Sequence, residues 1–277
     1  MPVQSMGPML QKAQAGGYAV GLFDVHTLEG MWAVIEVAVE QRSPVIVAPF
    51  LASRRAMAAF IREQAADAPV PVAIELDHGR DFNAAMECIR AGFTDVMLDA
   101  STRPYEENVA LTRQVVEAAH AVGVGVEAEL GHVGRGQAYA DVNARRAAFT
   151  RPEDAQRFVA ETGVDALAVA FGSAHGVYRG QPELDLDLLD RIRARIDVPL
   201  VLHGGSGLSD DDFRAAIERG ISKVNIYTNM ALAALKAMRG RLADPEVSYV
   251  EVGQAVQASI KEVVVHCMGV FGSAGKA

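Results

Sequence analysis

Eight short apolar runs, most of them closed by a polar cluster, alternate with helix-like stretches along this chain. The runs are Ala19–Phe23, Val45–Ala48, Val72–Leu76, Asp95–Leu98, Gly125–Ala128, Ala166–Ala170, Leu200–Leu202 and Lys223–Ile226. Runs this apolar are buried on both faces, as parallel strands are. Helix-like stretches lie between them: Leu28–Gln41, one capped by Ser53 and running to about Ala66, Phe82–Ala91, one from Pro104 to about Val122, one opened by Pro152, and Asp210–Arg219. Such units in 277 residues predict an α/β chain, a (β/α)8 (TIM) barrel forming a single domain over 1–277. Met230–Arg241 and Val247–Met268 form a C-terminal helical extension. A doubly wound open sheet is the alternative, but no GxGxxG follows the first run. Gly134–Thr150 is the longest irregular segment.

The net charge of −9 argues against partners that need a broad basic face, so neither nucleic acid nor an anionic membrane is expected. Only Cys88 and Cys267 are present, without a CxxC pair, so a reducing cytoplasm is the expected compartment. The first residues lack the basic and apolar blocks of a signal peptide.

The strand ends carry the chemistry-bearing residues, as in parallel α/β folds. His78, His175 and His203 each follow such a run, and three imidazoles on one rim make a metal site with an open position. Asp77 beside His78 is a candidate proton carrier. His203-Gly204-Gly205-Ser206-Gly207 after the seventh run, with Asn225 in the eighth, matches the recurrent phosphate site of these barrels. Gly176 and Arg179 can complete that cradle. Asp99, Ser101 and Glu129 add polar groups. Glu129 is read either as an alternative metal ligand or supporting partner, or as part of a salt bridge. Asp81, Asp95 and Asp210–Asp212 are expected to be solvated or capping, and His120 and His266 to be structural or surface residues.

With these residues assembled, the chain resembles the class II, zinc-dependent ketose-bisphosphate aldolases, the fructose- and tagatose-bisphosphate aldolase family. The matching segments include LDHG at Leu76–Gly79, MLDAS at Met97–Ser101, VEAELG at Val126–Gly131, TGVDALAVAFGSAHGVY at Thr162–Tyr178, VPLVLHGGSGL at Val198–Leu208 and GISKVNI at Gly220–Ile226. The resemblance implies one zinc ion per chain on His78, His175 and His203, and a monovalent cation as a further cofactor. It makes Asp77 the proton carrier at the hydroxyl or aldehyde oxygen. Gly176, Arg179, Gly204, Ser206, Asn225 and Thr228 become contacts to a sugar phosphate, with Asp24 and Arg80 as further substrate contacts. A homodimer or homotetramer is expected.

The chain departs from the family pattern at several places. Asp24 stands where an asparagine is usual, Phe50 where a small polar residue is, and Tyr227 where an acidic one is. Gln137 stands where the mobile loop usually offers a glutamate that moves a carbon proton. Asp141 is the first choice to replace it, with His132 as the other candidate. The implied activity is reversible aldol cleavage of a ketose 1-phosphate to dihydroxyacetone phosphate and an aldehyde. The altered positions point to an acceptor other than glyceraldehyde 3-phosphate, an unphosphorylated sugar or sugar acid, with Arg80 or Arg135 able to grip a carboxylate. The alternatives are an ordinary fructose- or tagatose-bisphosphate aldolase and a barrel that binds a sugar phosphate without turning it over.

Overall fold

The computed structural model describes the chain except residues 1–2, 51–53, 137–138, 140, 179 and 181. Ser53, Gln137 and Arg179 lie outside the described residues. The strands are β1 (Val20–Val25), β2 (Val45–Pro49), β3 (Val72–Gly79), β4 (Asp95–Leu98), β5 (Gly125–Leu130), β6 (Ala166–Val169), β7 (Leu200–Leu202) and β8 (Ile221–Ile226). All neighbours are parallel, and the sheet closes on itself in sequence order, with β8 against β1 in the register Val20↔Lys223. This is the expected (β/α)8 barrel. β1 and β3 run further than the apolar runs alone suggest, so that Asp24, Asp77 and His78 belong to strands.

The helices outside the barrel are α2 (Leu28–Glu40), α3 (Arg54–Ala65), α4 (Phe82–Ala91), α5 (Tyr105–His120), α6 (Val142–Ala147), α7 (Pro152–Thr162), α8 (Leu186–Arg193) and α9 (Asp210–Glu218). Their apolar faces cover the strands in one large core. Local chemistry starts them where the sequence does. Thr27 caps α2, and Ser209 with Asp212 forms a capping box on α9. The extension is a pair of helices, α10 (Thr228–Arg241) and α11 (Tyr249–Val270), and α11 packs on α2. Among the described residues, no helix is long and apolar enough to cross a membrane.

Three helices were not expected from the apolar runs: α6, inside the segment Gly134–Thr150 read as irregular, α8, between β6 and β7, and one ahead of β1. α1 (Met6–Gly16) buries Met6, Met9, Leu10 and Ala13 against the barrel residues Val20, Leu22, Ile46, Ala73, Ala166 and Val201. It plugs the N-terminal end of the barrel. Asp95, at the start of β4, holds it there. Its carboxylate accepts hydrogen bonds from Ser5 Oγ at 2.7 Å and from the Met6 amide at 2.9 Å. Asp95 is therefore not solvated but fully buried, a correction whose reason is the incoming helix N-terminus that its charge satisfies. Asp81 and Asp212 do cap helices, as expected.

Candidate active site

The opposite end of the barrel opens into a pocket of about 680 Å³. His78, His175 and His203 meet there with Glu129, and one ligand atom of each lies within 4.8 Å of the others. His203 follows β7 directly and is completely buried. His175 is aimed by a backbone bridge to Arg135, its amide donating to the Gly134 carbonyl at 2.8 Å. His78, one residue before the end of β3, has φ of +47°, a left-handed conformation unusual for a residue other than glycine. Such conformations cost on the order of 1–3 kcal/mol and persist where the surroundings require them. Gly204 also has positive φ, at +67°, and a Cβ there would stand 2.5 Å from the Ala174 backbone. Only glycine lets the β7 loop approach the β6 loop this closely. Tyr178 then pins the two loops, accepting from the Ala174 amide at 2.7 Å and donating to the Gly204 carbonyl at 2.8 Å.

The outer nitrogens of two imidazoles are occupied. His78 Nδ1 lies 2.7 Å from Asp99 Oδ2, and His203 Nε2 lies 2.8 Å from Glu127 Oε1. Their inner nitrogens, His78 Nε2 and His203 Nδ1, face each other at 3.1 Å. Among the described residues, His175 Nε2 and Glu129 Oε2 are buried without a hydrogen-bond partner. Four lone-pair donors thus converge, two of them unpaired, and this donor set fits a zinc ion. Glu129, one of several readings from sequence, stands among the ligand atoms. The electrostatics agree. Burial would lower the His78 pKa, but Asp77, Asp99 and Glu129 raise it to about 10. His175 is lowered to about 3 by burial and by the other two imidazoles. The nearby carboxylates thus favour a positive charge on His78, while His175 is kept neutral with a lone pair to offer.

Asp77 is buried beside these ligands and accepts a hydrogen bond from Asn225 Nδ2 at 3.1 Å. Burial alone would raise its pKa, but His78, His203 and Lys223 bring it down to about 2. Asp24 is the reverse: burial and then the Asp77 charge push it well above the usual carboxylate range. Of this buried pair, Asp77 is the carboxylate held ionised.

A model of the family described as fructose-bisphosphate aldolase class-II matches residues 4–276. The chain belongs to this family. It is 43% identical to the probable fructose-bisphosphate aldolase of Bacillus subtilis (strain 168), with all of both chains covered. It is 44% identical to the fructose-bisphosphate aldolase of Geobacillus stearothermophilus, covering 100% of this chain and 99% of that one. The crystal structure of the YdjI aldolase from Escherichia coli K12 superposes with a TM-score of 0.89 at 34% identity, covering 99% of each chain. The chain is thus a class II aldolase, a carbon–carbon lyase.

The other expected aldolase residues divide. Gly176, Gly204, Ser206, Asn225, Thr228 and Asp24 all line the pocket. Arg80 does not line it. It is 87% exposed and pairs with Asp81 at 3.2 Å, because it follows the strand and turns away from the barrel mouth. Asp141 does not line the pocket either. Its carboxylate caps α6, accepting from the Ala144 amide at 3.0 Å. His132, the other base candidate, does line it, with Nδ1 3.0 Å from Ser101 Oγ. Arg135 lines it too. His120 and His266 are paired with Asp165 and Asp210 on the surface, as expected.

Two groups were missed from sequence. His26 stands at the pocket mouth between Phe50 and Tyr227, its ring centroid 5.2 Å and 4.6 Å from theirs. A histidine two residues after Asp24 was the visible signal. Beneath the imidazoles, Lys223 is fully buried, with Nζ 2.8 Å from Glu75 and 2.7 Å from Glu127. A lysine inside an apolar strand was the signal there.

Proposed function

We propose that this aldolase reversibly cleaves a ketose 1-phosphate to dihydroxyacetone phosphate and an aldehyde other than glyceraldehyde 3-phosphate. The observation that carries this reading is the ring cluster of His26, Phe50 and Tyr227 at the pocket mouth. Phe50 is 45% exposed and Tyr227 41%, so both offer apolar surface to a ligand. A second phosphate placed against such rings would lose water and gain few partners. An unphosphorylated sugar, with apolar C–H faces, suits them better. Arg135 supports a sugar acid, since a guanidinium grips a carboxylate in a planar, bidentate way.

In this reading His78, His175 and His203 hold one zinc ion, with Glu129 within reach. When bound, the ion polarises the ketone and offsets the negative charge that develops as the carbon–carbon bond breaks. Asp77, ionised and oriented by Asn225, takes the proton from the hydroxyl that becomes the aldehyde oxygen. The bonding pair stays with the dihydroxyacetone-phosphate half, whose carbon then takes a proton from His132. Gly176, Gly204, Ser206, Asn225 and Thr228 hold the phosphate-bearing half. The exposed Leu232 and Leu235 on α10, Leu242 just past it and Tyr249 on α11 support a homodimer or homotetramer. The two free, buried cysteines suit a cytoplasmic location.

An ordinary fructose-bisphosphate aldolase is the second reading. It is favoured by the names of the relatives, and by Arg135, which would serve a second phosphate as well as a carboxylate. The test compares kcat/KM for fructose and tagatose 1,6-bisphosphates with a panel of ketose 1-phosphates, some ending in a carboxylate. A ketose 1-phosphate is expected to be best. A bisphosphate as best substrate, at or above the roughly 10⁴ M⁻¹s⁻¹ lower end of ordinary efficiency, overturns the reading.

A further inference from the structure

The interior of this barrel is not uniformly apolar. Next to α1 it is filled by Val20, Ile46, Ala73, Ala166 and Val201, which need no partners. Toward the mouth, directly beneath the imidazoles, three charged side chains replace them: Glu75 from β3, Glu127 from β5 and Lys223 from β8. All three are fully buried. Apolar residues of similar volume fill such a space at least as stably as buried ions, and removing one partner of a buried pair is costly. The charges therefore call for a role beyond filling the core.

The geometry supplies one. Lys223 Nζ lies 2.7 Å from Glu127 Oε2. The other oxygen of the same carboxylate, Oε1, lies 2.8 Å from His203 Nε2. Lys223 has only hydrogens to offer, so Glu127 Oε2 is an acceptor, and the adjoining ammonium charge favours the ionised carboxylate and fixes its rotation. An ionised Glu127 only accepts, so His203 Nε2 carries the ring proton toward it at 2.8 Å, and Asn225 Nδ2, 3.3 Å from the same nitrogen, donates to Asp77 instead. The second ring nitrogen, Nδ1, is then left bare, and it is the one facing His78 Nε2 at 3.1 Å. Asp99 does the same for His78 from the opposite side, through Nδ1 at 2.7 Å.

We propose that Lys223 and Glu127 are positioning residues of the metal centre: Lys223 orients the Glu127 carboxylate, which holds His203 in the one tautomer that presents Nδ1 to the ion. Neither residue touches substrate. The inference rests on the reading that the three imidazoles hold zinc.

The test uses the full chain and zinc itself. Glu127→Gln keeps the volume but brings an amide, whose NH₂ can donate to His203 Nε2 and drive the ring proton onto Nδ1. Lys223→Met removes the cation that orients the carboxylate. Zinc dissociation constants are measured by competition with a chromophoric chelator. The visible spectrum of the cobalt(II)-substituted proteins reports the ligand set, and the Tm of the metal-free proteins reports the fold. First, the parent must bind about one zinc; if it binds none, the reading of the site fails and not this inference alone. With a binding parent, both variants should lose about 10- to 100-fold in zinc affinity, the range for removing a group that orients a ligand. Their cobalt spectra should change, in metal-free proteins that still unfold cooperatively. Zinc affinity within twofold of the parent in folded Glu127→Gln, with an unchanged cobalt spectrum, overturns the proposal. If Lys223→Met does not fold, Glu127→Gln decides alone.

Discussion

His78 Nε2 and His203 Nδ1 face each other at 3.1 Å while the outer nitrogens of both rings are held by Asp99 and Glu127. A positive charge must stand between two such lone pairs, either a proton on one ring or a metal ion that both rings hold. His175→Ala and His203→Ala are each expected to lose most of the bound zinc and most of the activity. Metal analysis of the purified variants checks this, and a full zinc complement in both removes the histidines from the site. Exhaustive chelation of the parent should abolish cleavage, and added zinc should restore it.

Asp77 is the buried carboxylate kept ionised beside these ligands, at a pKa of about 2. Asp77→Asn should bind zinc normally and cleave the carbon–carbon bond roughly 10²- to 10⁴-fold more slowly, the range for a lost general acid–base. Single-turnover cleavage measures it. Turnover near that of the parent takes Asp77 out of the mechanism.

His132 and Asp141 separate cleanly in space, one in the pocket and one on a helix cap. Exchange of the pro-chiral hydrogen of dihydroxyacetone phosphate into deuterated water needs no acceptor and so isolates the carbon-proton step. His132→Gln should slow this exchange by roughly 10²-fold or more. Asp141→Asn should leave it within about twofold of the parent, because asparagine also caps helices well. Normal exchange in His132→Gln places the base elsewhere.

The rings at the mouth should govern the acceptor. Phe50→Ser combined with Tyr227→Asp removes two apolar surfaces facing the pocket and returns the groups that family members usually have there. The ratio of kcat/KM for fructose 1,6-bisphosphate to that for the best ketose 1-phosphate should rise by about tenfold or more, the scale of losing a matched pocket contact. A ratio that stays put means that the rings do not read the acceptor.

Asp95 accepts bonds from Ser5, Met6 and Thr94, all buried or half-buried. Asp95→Ala leaves those donors unpaired, at roughly 1–3 kcal/mol for each buried group left unsatisfied. Scanning calorimetry should show Tm lowered by several degrees. An unchanged Tm would mean that α1 stays in place without this anchor.

The barrel was legible because its strands are buried on both faces and so are written as apolar runs, each broken by the residues of the rim. The three histidines were legible for the same reason, since each stands where a run stops. Direction was not legible. Arg80 lies two residues beyond His78 in sequence, yet His78 turns inward through a left-handed backbone and Arg80 turns out to Asp81. Proximity in the chain carries no information about that turn. α1 hid behind Gly7, Pro8 and Gly16, although Met6, Met9, Leu10 and Ala13 are spaced as one face of a helix. Asp141 looked like a base because it is acidic and well placed in a loop, but the same short carboxylate makes it a good cap for the helix that begins there.

The helix that fills the N-terminal end of the barrel makes the pocket a dead end. Every ligand must enter and leave by the same mouth, so the order of departure follows depth. In the proposed reading the phosphate-bearing half reaches down to the buried Gly204 and Ser206, while the aldehyde half lies at the exposed rings of Phe50 and Tyr227. The aldehyde is free to go as soon as the bond breaks, and dihydroxyacetone phosphate follows it. In the synthetic direction the queue reverses: the phosphorylated ketone boards first and the aldehyde closes the door behind it.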